Sequence, residues 1–142
     1  MNTKNCKIDE WIGNVQSISR VAIGILFLMH GTSKLFGVPA PLHPMGEFQL
    51  FSLIGIAGVL EVVGGFLFVL GFHTRITAFI LSGMMAVAYW MAHAPHGVLP
   101  YSNGGELAAL YSFIFLFYAF AGAGAWSVDQ LCDSRKGCQK SG

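Results

Sequence analysis

Four stretches of the chain stay apolar long enough to cross a bilayer: roughly Ser17 to Phe36, Phe51 to Gly71, Ile76 to Ala94 and Glu106 to Trp126. A helix needs about 20 residues to traverse a hydrocarbon layer of ~30 Å. Barrel strands would show alternating segments of ~10 residues, and the sequence has none. Turn residues separate the spans: Gly37-Val38-Pro39-Ala40-Pro41, then Gly71-Phe72-His73-Thr74, then a loop from Pro95 to Gly105. Asn103, with Glu106 three residues on, reads as a capping box that opens the fourth span. Trp11, Trp90, Tyr101 and Trp126 stand at span ends, as an interfacial belt would have them. The pattern predicts an all-α protein, an integral membrane four-helix transmembrane bundle. Residues 1–16 form a cytoplasmic N-terminal segment, 17–131 the four-helix membrane domain and 132–142 a mobile cytoplasmic tail.

Composition agrees. Of 142 residues, 54% are hydrophobic and only 11% charged, against about a quarter charged in soluble domains. Fifteen ionised side chains, eight basic and seven acidic, cannot coat a water-facing surface. An ordinary soluble enzyme, a disordered chain and a nucleic-acid binder are excluded, the last for want of a basic patch. The lipid bilayer is the implied partner. Lys4 and Lys7 precede the first span, but Asp9 and Glu10 follow them and the helix carries Arg20, His30 and Lys34. It therefore reads as a retained helix, not a cleaved signal.

Seven of the eight basic residues (Lys4, Lys7, Arg20, Arg75, Arg135, Lys136, Lys140) fall on the side shared by the termini and the second turn, and only Lys34 lies toward the other. The positive-inside rule then puts both termini in the cytoplasm. Cys6, Cys132 and Cys138 would share that reducing side, and an odd count outside the spans argues against a disulfide framework.

Ionisable groups inside the spans carry the functional signal, because each costs at least ~2.5–3.5 kcal/mol at mid-bilayer. Arg20, Gly24, Phe27, His30, Gly31 and Lys34 fall within an arc of roughly 120° on the first helix. Arg75, Ser82, Ala86, Tyr89 and His93 align on the third. On the second, Gly55, Gly58 and Gly65 share a side with Glu61 on its shoulder, so that face should pack against a helix and turn Glu61 inward. Counted from the outer boundary, Glu61 lies about 15 Å deep, His30 roughly 9 Å and Lys34 about 3 Å. Arg20 and His30 are then the expected partners of Glu61, and Lys34 reaches it only if the helices are offset. Arg20, His30, Lys34 and Glu61 form the candidate buried polar site: a packing clasp, a proton path or a ligand-head site, unless Glu61 is neutral and isolated.

A second group, His43, Glu47, His93, His96 and Glu106, gathers toward the outer face with Tyr101. His93-Ala94-Pro95-His96 resembles a metal pair. Pro95 should break its helical spacing, however, and no thiolate accompanies it, so no metal site is assigned. A hard or borderline metal site on the histidines and glutamates, a polar ligand-head site and a hydrated loop surface all stay open. The fourth span is rich in aromatics that point all round the helix. Its end, Ala119 to Ala125, is small throughout, which suits close packing within the chain or in a homo-oligomer.

Arg20 with Gly24, Phe27-Leu-Met-His-Gly31 and Lys34-Leu-Phe-Gly37 resemble the opening signature of DoxX-type membrane proteins. Gly58-Val-Leu-Glu61-Val-Val-Gly64-Gly65 and Leu70-Gly71-Phe-His-Thr-Arg75 are similar to that family's second block. His93 with Pro95, Asn103-Gly-Gly-Glu106 and Gly122-Ala-Gly-Ala-Trp-Ser-Val-Asp129 match its third. The resemblance covers about residues 15 to 131 and implies a four-helix bundle in a bacterial cytoplasmic membrane. It also implies work beside a redox partner protein near the quinone pool, since relatives include a subunit of a thiosulfate–quinone oxidoreductase. No CxxCH, GxGxxG or paired intramembrane histidines on one helix are present. No cofactor is evident, quinone is the one organic cofactor left open, and a self-sufficient enzyme is not expected. Against the accessory redox subunit stand a proton- or ion-coupled transporter or channel and a non-catalytic scaffold.

Overall fold

The computed structural model describes residues 3–40 and 52–139, with backbone alone at 3–7, 9 and 135–139. The described chain is helical: α1 (Thr3–Phe36), α2 (Leu53–Leu70), α3 (Thr74–Ala88), a π-helical turn (Tyr89–His93), a 3₁₀ turn (Ala94–His96), α4 (Pro100–Asn103), α5 (Glu106–Ala121) and α6 (Val128–Gln139). Three stretches are long and apolar enough to cross a membrane, Glu10–Phe36, Leu53–Leu70 and Thr74–His96, and α5 is a shorter apolar helix. The protein is an all-α membrane helical bundle. Its contacts divide it into two compact units, Met1–Thr74 with Ala123–Gly142, and Arg75–Gly122.

In the first unit α1 and α2 run antiparallel with glycines at the crossing. A Cβ on Gly31 would meet the Val62 nitrogen at 2.8 Å and the Glu61 Cβ at 2.9 Å. One turn on, Gly58 faces Lys34 and Leu35, and Gly65 faces Leu28. The buried side of α2 is Gly55, Gly58, Glu61, Gly65 and Phe68, the stripe that the spacing predicts. Backbones this close gain van der Waals contact that bulkier side chains would forbid, which is how helices associate where lipid removes the hydrophobic drive. Ser52 caps the start of α2 by accepting from the Gly55 N–H, and Gly71 ends it in the left-handed region at φ 68°. The tight turn expected at Gly71 to Thr74 is present.

In the second unit Ser82 on α3 donates to the Ser112 carbonyl of α5 at 2.8 Å, and Ser112 donates back to Ser82 at 3.2 Å. Tyr111, Phe115 and Tyr118 are buried, whereas Phe113, Phe117 and Phe120 are exposed. The aromatics of this helix therefore divide between core and periphery.

Two expectations are corrected. The fourth helix stops at Ala121, short of Trp126, because Gly122 turns to φ 87° and the Arg75 guanidinium takes the carbonyls of Ala119 and Phe120. Asn103 is not the cap of α5 in a box with Glu106. It closes α4, its Oδ1 accepts from the Gly105 N–H at 2.8 Å, and Gly105 itself occupies the cap position without a side-chain bond. The Asn side chain closes its own local turn in preference to reaching the helix three residues on. The segments expected as an N-terminal arm and a tail also carry helix, in α1 from Thr3 and in α6 as far as Gln139.

Candidate functional site

The α1–α2 register decides which basic group meets Glu61. Gly58 packs on Lys34, five residues inside the start of α2, while Lys34 itself is two residues from the end of α1. The helices are therefore offset by about 4–5 Å, three residues at 1.5 Å each. That offset brings Lys34 within reach. Its Nζ donates to Glu61 Oε1 at 2.5 Å, with the lysine side chain 22% exposed and the glutamate 3%. The other carboxylate oxygen, Oε2, is buried and has no hydrogen-bond partner among the described residues. A buried ion pair offsets its desolvation only when the remaining lone pairs are also satisfied. Here one oxygen is paired and the other is not.

Arg20, expected to face Glu61, is engaged instead with carbonyls seven and eight residues further along α2, roughly 10–12 Å away at 1.5 Å per residue. Buried to 1% exposure, it donates from Nη1 to the carbonyls of Phe68 (2.7 Å) and Val69 (2.8 Å) and from Nη2 to that of Trp126 (2.6 Å). The Phe68 and Val69 carbonyls stand in the last turn of α2, where a cation is favoured both by hydrogen bonding and by the helix dipole. Gly71 makes room for it: a Cβ there would lie 2.4 Å from Nη1. Arg20 is thus a structural tie, not a member of the Glu61 pair. His30 is half-buried beside Gly31.

Sequence reasoning missed the rest of that tie. Ser17 is fully buried, donates to Gly13 and accepts from the Trp126 N–H at 2.9 Å. Asp129 accepts from the N–H groups of His73 (2.7 Å) and Thr74 (2.8 Å), and its own N–H bonds the Gly71 carbonyl at 2.9 Å. Burial alone would raise the Asp129 carboxyl, but the Thr74 and His73 N–H bonds and the nearby His73 ring together hold it below the usual carboxylate range. The available signal was that Gly71-Phe-His-Thr and Trp126-Ser-Val-Asp129 both stand beside span ends.

Of the outer group, His43 and Glu47 lie outside the described residues. His93 is half-buried, and His96 and Glu106 are exposed. Pro95 sits in a short 3₁₀ turn, Ala94–His96, that His93 only caps, so the two histidines do not share one regular helix, as expected. A first-turn proline loses no helical hydrogen bond. Among the described residues no three His, Cys, Asp or Glu side chains cluster as a metal site.

The DoxX family model matches residues 15–94, more than half of the chain, and takes in Arg20, His30, Lys34 and Glu61. The chain belongs to the DoxX family. A protein of Haemophilus influenzae is 43% identical over 113 residues, covering 78% of this chain and 84% of its own; its name assigns no activity. The inner membrane protein YqjF of Escherichia coli is 28% identical over 133 residues, 83% of this chain and 92% of that one. An uncharacterized membrane protein of Mycobacterium tuberculosis is 30% identical over 134 residues, 82% and 80% respectively. No solved structure matches the chain. The DoxX match embraces both buried charges, the tied arginine and the half-paired glutamate.

Proposed function

We propose that this DoxX protein is an accessory subunit of a redox system in the bacterial cytoplasmic membrane, working near the quinone pool with Lys34–Glu61 as its polar site. The inner-membrane name of the Escherichia coli relative supports the location, and the basic residues of the termini and second turn support cytoplasmic termini. The observation that carries the reading is the buried Glu61 Oε2 without a partner among the described residues, beside an ammonium that holds Oε1. A lysine N–H can donate to a carbonyl head group while a carboxylate oxygen accepts from a hydroxyl. That combination suits a carrier that alternates between carbonyl and hydroxyl forms. The redox centre itself would belong to a partner protein, because the sequence holds no motif for one.

The test is a short-chain quinone analogue titrated against the purified protein, with quinol oxidation followed when membrane partners are restored. Binding that drops in Glu61→Gln while the protein stays folded is the expected result. Equal binding by wild type and Glu61→Gln, or none by either across several quinones, removes the reading. The placement of Glu61 halfway along α2, ninth of its 18 residues, favours a second reading in which the group carries a proton across. Proton flux in proteoliposomes that is lost in Glu61→Gln, without any quinone effect, would select it.

A further inference from the structure

We propose that the outward face of α1 pairs two copies of this chain, with the two helices parallel and in register about a two-fold axis along the membrane normal. The seam is Ile8, Trp11, Val15, Ile18, Ala22, Ile25 and Met29. Glu61 meets α1 on its other side, at Gly31, so this inference is independent of the reading above.

Spacing is the first observation. The seven residues follow one another in alternating steps of three and four, the a/d repeat of a coiled coil carried over three heptads. All are exposed in the single chain, Trp11 by 70% and the other large side chains by 43–59%. At about 100° per residue they occupy an arc of roughly 100°. Gly13, Ser17, Arg20 and Gly24, which meet α2 or the segment 124–126, stand on the opposite side.

The second observation is where the seam goes. Inside the bilayer an apolar face needs only lipid, but this one runs on past it. A Cβ on Gly24 would lie 3.3 Å from the Val69 nitrogen, so Gly24 is level with the last residue but one of α2. The 18 residues of α2 measure about 27 Å, close to the ~30 Å of the hydrocarbon layer. From Gly24 the helix continues unbroken back to Thr3. Trp11 then stands about 20 Å beyond Val69, and Ile8 about 24 Å. A headgroup layer adds only about 5–8 Å on each side, and a tilt of ~20° changes these distances by about 1 Å. Ile8, Trp11 and Ile12 therefore stand in water, 57%, 70% and 57% exposed. Trp11 lies beyond the depth of an interfacial belt. Single exposed apolar residues are ordinary, but a contiguous row of them on a helix that has left the lipid marks a protein contact.

A second copy suits the row. The bilayer already fixes the direction and depth of both α1 helices, and a two-fold axis makes one surface its own complement. The positions flanking the seam between Trp11 and Met29 are Ile12, Asn14, Ser19, Val21, Leu26 and Leu28. None is ionisable, so no like charges meet across the pair, whereas a foreign helix chosen by charge would need charged flanks there. Ala22, small and midway along the seam, permits the close backbone approach that holds helices together in lipid.

The experiment is disulfide trapping in intact membranes, with Cys6, Cys132 and Cys138 changed to Ser and one cysteine added at a time. Trp11→Cys, Val15→Cys and Ile18→Cys should each give a covalent dimer on mild oxidation. Glu10→Cys, exposed but off the seam, should not. These positions are all exposed, so the fold is not at stake. In nanodiscs wild type should hold two copies per disc, and the double variant Trp11→Glu with Val15→Glu one. Equal trapping at Glu10→Cys and on the seam overturns the proposal, as does no trapping at any seam position or an adduct of a different mass. Single copies of wild type, or a dimer that survives the double variant, overturn it as well.

Discussion

At the α2 end that meets Trp126, the Arg20 guanidinium spends its N–H groups on three carbonyls from two segments. About 21 Å along α1, fourteen residues on, Lys34 holds one oxygen of Glu61 and leaves the other buried, with no partner among the described residues. Both charges are buried, both lie against α2, and glycines make room for both. What differs is the kind of partner. A guanidinium whose Nη1 and Nη2 both donate to backbone oxygens is committed to holding two segments together. A carboxylate with a bare oxygen in a low-dielectric interior carries an unmet desolvation cost, which a water, a proton or a ligand hydroxyl would relieve. Structure is built at the first place, and chemistry is available at the second.

The largest effect should come from breaking the Arg20 end. Arg20→Met leaves the carbonyls of Phe68, Val69 and Trp126 without their donor and should cost about 3–5 kcal/mol, the range seen when one partner of a buried charged contact is removed. Thermal unfolding in detergent measures it. Arg20→Lys should recover only part, because one ammonium cannot reproduce the planar fork that spans both segments. A melting temperature unchanged by Arg20→Met would dissolve the contrast.

At the Glu61 end the signs diverge. Lys34→Met strands the Glu61 carboxylate and should cost about 3 kcal/mol or more, whereas Lys34→Met with Glu61→Leu should be neutral or up to ~4 kcal/mol more stable. The double variant should at the same time lose whatever the site binds. A double variant as unstable as Lys34→Met alone would make the pair a packing clasp and place both ends in the same class. Between these lies the crossing itself. Gly31→Ala drives a methyl into the Val62 backbone and the Glu61 Cβ, and should cost about 1–3 kcal/mol by overpacking. It should also weaken the Lys34–Glu61 contact, visible as a lower affinity for a bound quinone analogue than Gly24→Ala gives.

The fold was largely legible because lipid imposes a simple rule: length and apolarity name the spans, and small residues name the contact face. The glycine stripe of α2 and the inward turn of Glu61 follow from periodicity alone. The partner of Glu61 did not, because depth counted from loop positions assumes level helix ends, and the offset of α1 against α2 is set by glycine packing that only coordinates reveal. Arg20 was read as a charge seeking an opposite charge. At a helix terminus backbone carbonyls serve a guanidinium as well, and no sequence pattern announces which it has found. Asn103 and Asp129 were misread or overlooked for a related reason: short polar side chains act within their own turn, or on a chain segment more than fifty residues away, and spacing rules cover only the helix ahead.

The smallest effect tests whether the Arg20 end owes anything to ionisation. Asp129 caps α3 through the His73 and Thr74 N–H groups, and its carboxyl is held below the usual range. A carboxylate more acidic folded than unfolded adds stability that is fully present above the unfolded pKa of about 3.9. That contribution shrinks as pH falls through the folded value, where both states are protonated. Asp129→Ala should therefore cost about 0.5–2 kcal/mol near neutrality, as loss of a helix cap does, and only part of that at the acid limit. The group is half-buried, so solvent still screens it in part and the lower end of the range is expected. Chemical denaturation of wild type and variant across acid pH reads the difference directly. If the gap between them stays constant from neutral to strongly acid conditions, the cap works by hydrogen-bond geometry alone and its charge contributes nothing, which would leave Arg20 as the sole electrostatic element of that end.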